Sequence, residues 1–197
     1  MTVREGGPVT VHGLLLAAGA GSRMGTPKAL VSDDDGPWLP RGVATLREGG
    51  CAAVTVVLGA AAEEARALLT GPDGSAGQHD VTVVVAHDWT EGMSASLRAG
   101  LGVLAGTDAD VALVHLVDLP DVGPDVVRRV VASGAALARA SYDGVPGHPV
   151  LLGRDHWESI AAGVAGDQGA RDYLRAHDAL LVECGDLATG ADVDRRG

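Results

Sequence analysis

The chain has no phenylalanine, and aromatic residues make up only 3% of its 197 positions. So sparse a set leaves little to stack along the bases of a nucleic-acid polymer. Basic residues are scarce too: 15 Lys and Arg stand against 26 Asp and Glu, for a net charge of −11. Without a basic face, the phosphate contacts behind nonspecific nucleic-acid binding are missing. A small anionic ligand needs only a local positive site and stays open. The two cysteines, Cys51 and Cys184, are too few and too far apart to frame a small secreted domain, and read as buried thiols. No apolar run reaches the roughly 18 to 20 residues of a membrane span. The first ten residues, with Arg4 and Glu5 and no apolar stretch, do not read as a secretory signal. A cytoplasmic protein without membrane or nucleic-acid partners is expected. Lysine is the scarcest charged residue: 14 of the 15 basic side chains are Arg, and the one ammonium group is Lys28.

What is present is an alternation of short β-branched runs with helical periodicity. Strands are predicted at 9–18, 52–58, 81–86, 111–117, about 148–152 and 179–183. Helices are predicted at 40–48, 61–69, about 93–104, about 124–138, 155–163 and 168–177, with Pro124 in the first turn of the fourth. Continuous apolar strands separated by helices indicate a mostly parallel sheet covered on both faces, an α/β three-layer arrangement. With no repeat and no long linker, residues 1–197 read as one domain. Ligands of such sheets bind at the carboxyl ends of the strands. That directs attention to the segments beginning at Gly19 and at Asp118.

The first segment, LLLAAGAGSRMGTPKAL (Leu14 to Leu30), places Gly19, Gly21 and Gly25 beside the donors Ser22, Arg23 and Lys28. The dinucleotide fingerprint G-x-G-x-x-G is broken by Met24, which disfavours a dinucleotide-dependent oxidoreductase. The P-loop pattern fails because Gly25 is followed by Thr26 and Pro27. A third glycine-loop chemistry has all its parts here. Backbone N–H groups would bind phosphate oxygens of a nucleoside triphosphate while Arg23 and Lys28 neutralise them.

LAAGAGSRMGTPK resembles the signature of the MobA-like nucleotidyltransferases. Its LAAG start is similar to the molybdenum-cofactor cytidylyltransferase (MocA-like) branch. HDWTEGMSASLRAGL (His87 to Leu101), HLVDLPDV (His115 to Val122), GVPGHPVLL (Gly144 to Leu152) and GDQGARDYL (Gly166 to Leu174) resemble successive blocks of that branch in order. The resemblance implies a Rossmann-like fold of the nucleotide-diphospho-sugar transferase type. It also implies transfer of a nucleoside monophosphate, CMP in this branch, from an NTP with Mg²⁺ and release of pyrophosphate. The implied acceptor is a phosphorylated small molecule, molybdopterin cofactor, with a molybdoenzyme or its maturation factor as partner. Residues carried over for the nucleotide are Leu16, Ala17, Ala18, Gly19, Gly21, Ser22, Arg23, Lys28, Gly92 and Ser94. Arg23, Lys28 and Asp118 carry the catalytic roles.

Asp118 follows the strand ending HLV, so its carboxylate should project from the strand's carboxyl end as one ligand of Mg²⁺, which prefers few carboxylates, waters and phosphate oxygens. By resemblance to a D-[IV]-D-T-P motif, Asp194 of Asp192-Val193-Asp194 is the second metal ligand, although Arg195 and Arg196 stand where Thr-Pro would follow. No nucleophilic side chain is needed: a phosphate monoester attacks the α-phosphorus in line while the protein positions both reactants. Ser94 also fits a plain helix cap. Ala86 stands where the family carries Asn. His148 fits either an acceptor contact or a structural histidine. Asp33-Asp34-Asp35 reads as a solvated turn, and Arg128, Arg129 and Arg139 as a helix surface. Two alternatives remain: transfer to another phosphorylated metabolite such as a sugar phosphate or phospholactate, and a non-catalytic nucleotide- or pterin-binding accessory protein.

Overall fold

The computed structural model describes residues 9–22, 24–70 and 81–193. In chain order the elements are β1 (Val11–Ala17), the hairpin of β2 (Ser32–Asp33) and β3 (Gly36–Pro37), α1 (Trp38–Glu48), β4 (Ala53–Leu58), α2 (Ala62–Ala67) and β5 (Val81–Val85). There follow α3 (Met93–Leu104), β6 (Val111–Leu116), α4 (Pro124–Ala132), β7 (Leu137–Tyr142), β8 (Val145–Gly153), α5 (Trp157–Gly163), α6 (Arg171–Ala176) and β9 (Leu180–Glu183). Seven strands form one sheet in the order β5-β4-β1-β6-β8-β7-β9.

The sheet is mostly parallel. β1 pairs in parallel with β4 and β6, β4 with β5, and β7 with β9; among the described strands of this sheet, β8 alone runs against the rest, antiparallel to β6 and β7. β1 is buried along its whole length, which its apolar sequence VHGLLLA requires of a strand covered on both faces. Its side chains divide between two cores. Leu15 and Ala17 join α1 and α4 through residues such as Leu39, Leu46 and Val127. Leu14 and Leu16 join α3, α5 and α6 through Leu101, Ile160 and Leu174. This is the three-layer α/β Rossmann-like arrangement expected from the pattern.

The expected length of the fourth helix fails, and with it the placing of Arg139 on a helix surface. The fourth helix ends at Ala132 rather than near 138, and residues 137–142 form β7. Gly134, at φ +63°, cannot continue the helix, and the segment after it gains strand partners on both sides. Arg139 therefore lies on a strand, half-buried, and not on a helix surface. The acidic turn at 33–35 is the β2–β3 hairpin. Asp33 there is more than a solvated side chain: it accepts from Trp38 Nε1 at 2.8 Å and pairs with Arg41. No helix of the described residues is long and apolar enough to cross a membrane.

Candidate active site

β1 ends at Ala17, and the chain then doubles back instead of entering a helix. The Met24 N–H donates to the Gly21 carbonyl at 2.8 Å, and the Lys28 N–H donates to the Gly19 carbonyl at 3.2 Å. Gly21 sits at φ +58°, and a Cβ there would lie 1.9 Å from the Thr26 carbonyl oxygen. No other residue fits that reversal. Its effect is to return Lys28 to the carboxyl end of β1, in a short 3₁₀ turn (Lys28–Leu30) anchored by the fully buried Ala29.

Asp118 follows β6, the direct neighbour of β1, so its turn opens beside that loop. The Lys28 ammonium donates to Asp118 Oδ2 in an ion pair. Asp118 is 7% exposed, and a carboxylate so enclosed needs a counter-charge. Its backbone is fixed as well: the Asp118 carbonyl accepts from the Val193 N–H at 3.0 Å, and Arg41 Nη2 donates to the Pro120 carbonyl at 3.3 Å.

Around this pair opens a cleft of about 370 Å³. Leu16, Ala17, Ala18 and Gly19 line it together with Lys28, Asp118 and Gly92. Gly21 and Ser22 are not on the cleft wall: they form the reversal behind it. Ser94 does not reach the cleft either. It is fully buried, caps nothing, and its Oγ has no hydrogen-bond partner among the described residues. Ser96, two positions on, faces the cleft in its place, because residues two apart on a helix point to different sides. Arg23 and Asp194 lie outside the described residues. Ala86 is buried, its N–H bonded to the Leu58 carbonyl at 2.8 Å, and it does not line the cleft.

Three further residues line the cleft that residue type and spacing did not mark out. Trp89 packs against Gly59, beyond the end of β4, and presents the one aromatic ring of the cleft wall among the described residues. Thr90 follows it. Asp167 reaches in from the turn before α6, held against Gly92, where a Cβ would lie 2.4 Å from Asp167 Oδ1 and 2.8 Å from the Gly166 carbonyl. The usable signal for Asp167 is the block GDQGARDYL, in which several polar residues stand together and none is distinguished by its type.

A second, smaller cavity of about 70 Å³ adjoins the cleft and shares Leu16, Met93 and Asp167 with it. Arg139, His148 and Arg171 line it. Burial, with His115, Arg139 and Arg171 adding to it, pushes the His148 ring down to about 3. It is a neutral imidazole near neutral pH. His115, on β6, is fully buried and is pushed down to about 4 by burial.

For a divalent cation the donor set is lean. Among the described residues, no three or more His, Cys, Asp or Glu gather where they could hold a metal ion. One enclosed carboxylate on an open cleft fits a hard divalent cation that takes its remaining ligands from water and phosphate oxygens.

Residues 13–180 match the MobA-like NTP transferase domain. The chain belongs to that family. A protein of Paenarthrobacter nicotinovorans named nicotine blue oxidoreductase is 36% identical over 196 residues, 93% of this chain and 92% of that one. The molybdenum cofactor guanylyltransferase of Rhodobacter capsulatus is 28% identical over 159 residues, 79% of this chain and 70% of that one. Among solved structures, Rv0371c of Mycobacterium tuberculosis H37Rv superposes with a TM-score of 0.74 at 28% identity, over 95% of this chain and 94% of that one. A manganese complex of the same protein superposes at 0.70, with 26% identity and 94% of each chain covered.

Proposed function

We propose that this MobA-like nucleotidyltransferase transfers CMP from CTP to the phosphate of molybdopterin cofactor, with magnesium, within a single domain. The observation that carries the proposal is the Lys28–Asp118 pair, set in one cleft at the adjoining carboxyl ends of β1 and β6. Backbone N–H groups of the 16–19 wall would hold the triphosphate, and Lys28 and Arg23 would meet the charge that grows on the α-phosphate and the departing pyrophosphate. An oxygen of the acceptor phosphate forms the new bond to the α-phosphorus as the bond to pyrophosphate breaks. Asp118, with Asp194, would hold the magnesium ion, whose contribution when bound is to neutralise phosphate charge. Trp89 would stack on the base. The LAAG spelling of residues 16–19 supports cytosine, and the name of the Rhodobacter relative supports a molybdenum-cofactor acceptor while favouring guanine. The product would pass to a molybdoenzyme or its maturation factor.

The test is a thermal-shift screen of CTP, GTP, ATP and UTP with magnesium, followed by pyrophosphate release with molybdopterin. A ligand that binds only the folded state raises its stability with the logarithm of concentration over Kd. Stabilisation by CTP above the others, with pyrophosphate released, is the expected result. Stabilisation by GTP alone reverses the base assignment.

A second reading rests on one observation, the oxidoreductase name of the relative that is 36% identical over nearly the full length. It predicts a change in the absorbance of nicotine blue when the chain and a reductant are added, and no pyrophosphate release with any nucleotide.

A further inference from the structure

The second cavity is chemically unlike the first. Its basic walls are two guanidinium groups, in a chain whose net charge is −11. Arg139, half-buried on β7, gives Nε and Nη2 to the Gly147 carbonyl at 3.2 and 3.1 Å. That contact fixes the plane of the guanidinium and leaves Nη1 without a hydrogen bond among the described residues. Arg171, exposed at the start of α6, lies close enough that its charge adds to burial in lowering the Arg139 pKa. Neither arginine forms an ion pair among the described residues, whereas Arg98, Arg128, Arg129 and Arg175 all do. His148 on the same wall is neutral and adds no charge. One carboxylate, Asp167, shares the wall and stands where the cavity meets the cleft. Gln168 adds a neutral polar side chain, and the remaining side chains are mostly apolar, with Leu97, Val114, Val150 and Leu152 among them.

We propose that this cavity is an anion site in which Arg139 and Arg171 grip the phosphate of the acceptor, whose apolar body lies against the neighbouring strands. The proposal rests on the nucleotidyl-transfer reading above for the word acceptor, and on the cavity alone for the anion. A volume of about 70 Å³ takes a phosphate and the part of the acceptor next to it, not a whole cofactor. Two arginines without an ion pair among the described residues are the donors a planar fork supplies to phosphate oxygens. The shared wall of Leu16, Met93 and Asp167 puts such a phosphate next to the cleft in which the α-phosphorus would lie. The acceptor class this selects is a phosphate monoester with an apolar or flat remainder, as opposed to a polyhydroxylated sugar phosphate.

The test uses the full chain and phenyl phosphate as probe, titrated calorimetrically without nucleotide and again with CTP and magnesium. Variants are Arg139→Gln and Arg171→Gln, with Arg175→Gln, exposed and paired to Asp172, as the control for lost charge. Each cavity variant is expected to weaken phenyl phosphate binding at least tenfold, and the control to leave it unchanged. Phenyl phosphate should also bind more tightly than inorganic phosphate, and CTP with magnesium should not displace it. Arg171→Gln, at an exposed position, keeps the test sound should Arg139→Gln unfold. Unchanged affinity in both variants, or one-for-one displacement by CTP, overturns the proposal. Failure of CTP to bind wild type while phenyl phosphate binding still depends on the two arginines would instead overturn the nucleotidyl-transfer reading and leave the anion site standing.

Discussion

The two halves of the sheet build their walls by different means. In the parallel half, β5-β4-β1-β6, the cleft wall rests on the small-residue segment 16–19 and one ion pair, with the reversal at Gly21 behind it. In the half that holds β8, β7 and β9, the wall is made of side chains, Arg139 and His148 from strands and Arg171 from a helix start. A triphosphate is alike in every nucleotide and is well served by main-chain donors and one or two fixed charges. An acceptor differs from enzyme to enzyme and is selected by side chains. On the proposed function, donor chemistry belongs to the first half and acceptor choice to the second.

The sharpest way to break that division is at its charged centre. Lys28→Ala and Asp118→Asn should each lower turnover by two or more orders of magnitude, on the order of 3 kcal/mol of transition-state stabilisation. Their circular dichroism should stay that of wild type. Near-normal pyrophosphate release in either variant would remove the pair from the chemistry.

The seam between the halves is tested by acid. His115 lies on β6, and its field contributes to holding His148 of β8 neutral. Both have folded pKa values below the ordinary 6.5, at about 4 and about 3. Between those values and 6.5 the unfolded chain binds protons that the folded chain does not. Stability is therefore full above about pH 6.5 and declines as the pH falls toward 4. At pH 5 His115 alone should account for about 2 kcal/mol of loss. Denaturant midpoints at pH 7.5 and pH 5 measure it, and His115→Gln should shrink the difference. A flat profile between those pH values would contradict the buried neutral assignment.

Gly92 packs against Asp167, which lines both cavities. At φ +104°, with the Gly166 carbonyl 2.8 Å from the point a Cβ would occupy, Gly92→Ala should destabilise by about 1–3 kcal/mol, read from a denaturant curve. Gly25→Ala, at positive φ but facing open space, should cost less, about 1 kcal/mol. Equal losses would mean that backbone conformation, and not the contact with the Asp167 turn, sets the cost.

The smallest expected effect is on the base. Trp38 and Trp157 are buried, so quenching of tryptophan fluorescence by CTP reports Trp89. Trp89→Ala should raise the KM for CTP by about tenfold or less, leave kcat near wild type, and abolish the quenching. A kcat loss instead would give Trp89 a part in positioning the phosphates.

Legibility in the sequence divides along the same line. β1, β4, β5 and β6 announce themselves as apolar runs, and the glycine loop carries its own pattern, so the Lys28–Asp118 side of the cleft could be named from the sequence. β7 could not, because LARASY has no apolar run and follows a helix with no proline between; its strand state comes from partners on both sides. Arg139 shares that strand, so its place is equally illegible from the sequence. Ser94 and Ser96 are indistinguishable by residue type, and only the rotation of α3 decides which one meets the cleft. Asp167 owes its position to contact with Gly92, seventy-five residues earlier, a proximity no local pattern encodes.

The single lysine has a practical consequence. Apart from the chain's α-amino group, Lys28 is the only primary amine for an acylating reagent to find, and it stands in the cleft. One equivalent of an amine-directed ester therefore becomes a probe of cleft occupancy, with a bound molecule registering as protection. A protease specific for lysine would cut the unmodified chain at one point and leave the acylated chain whole, so the uncut share on a gel would report how often the amine was reached.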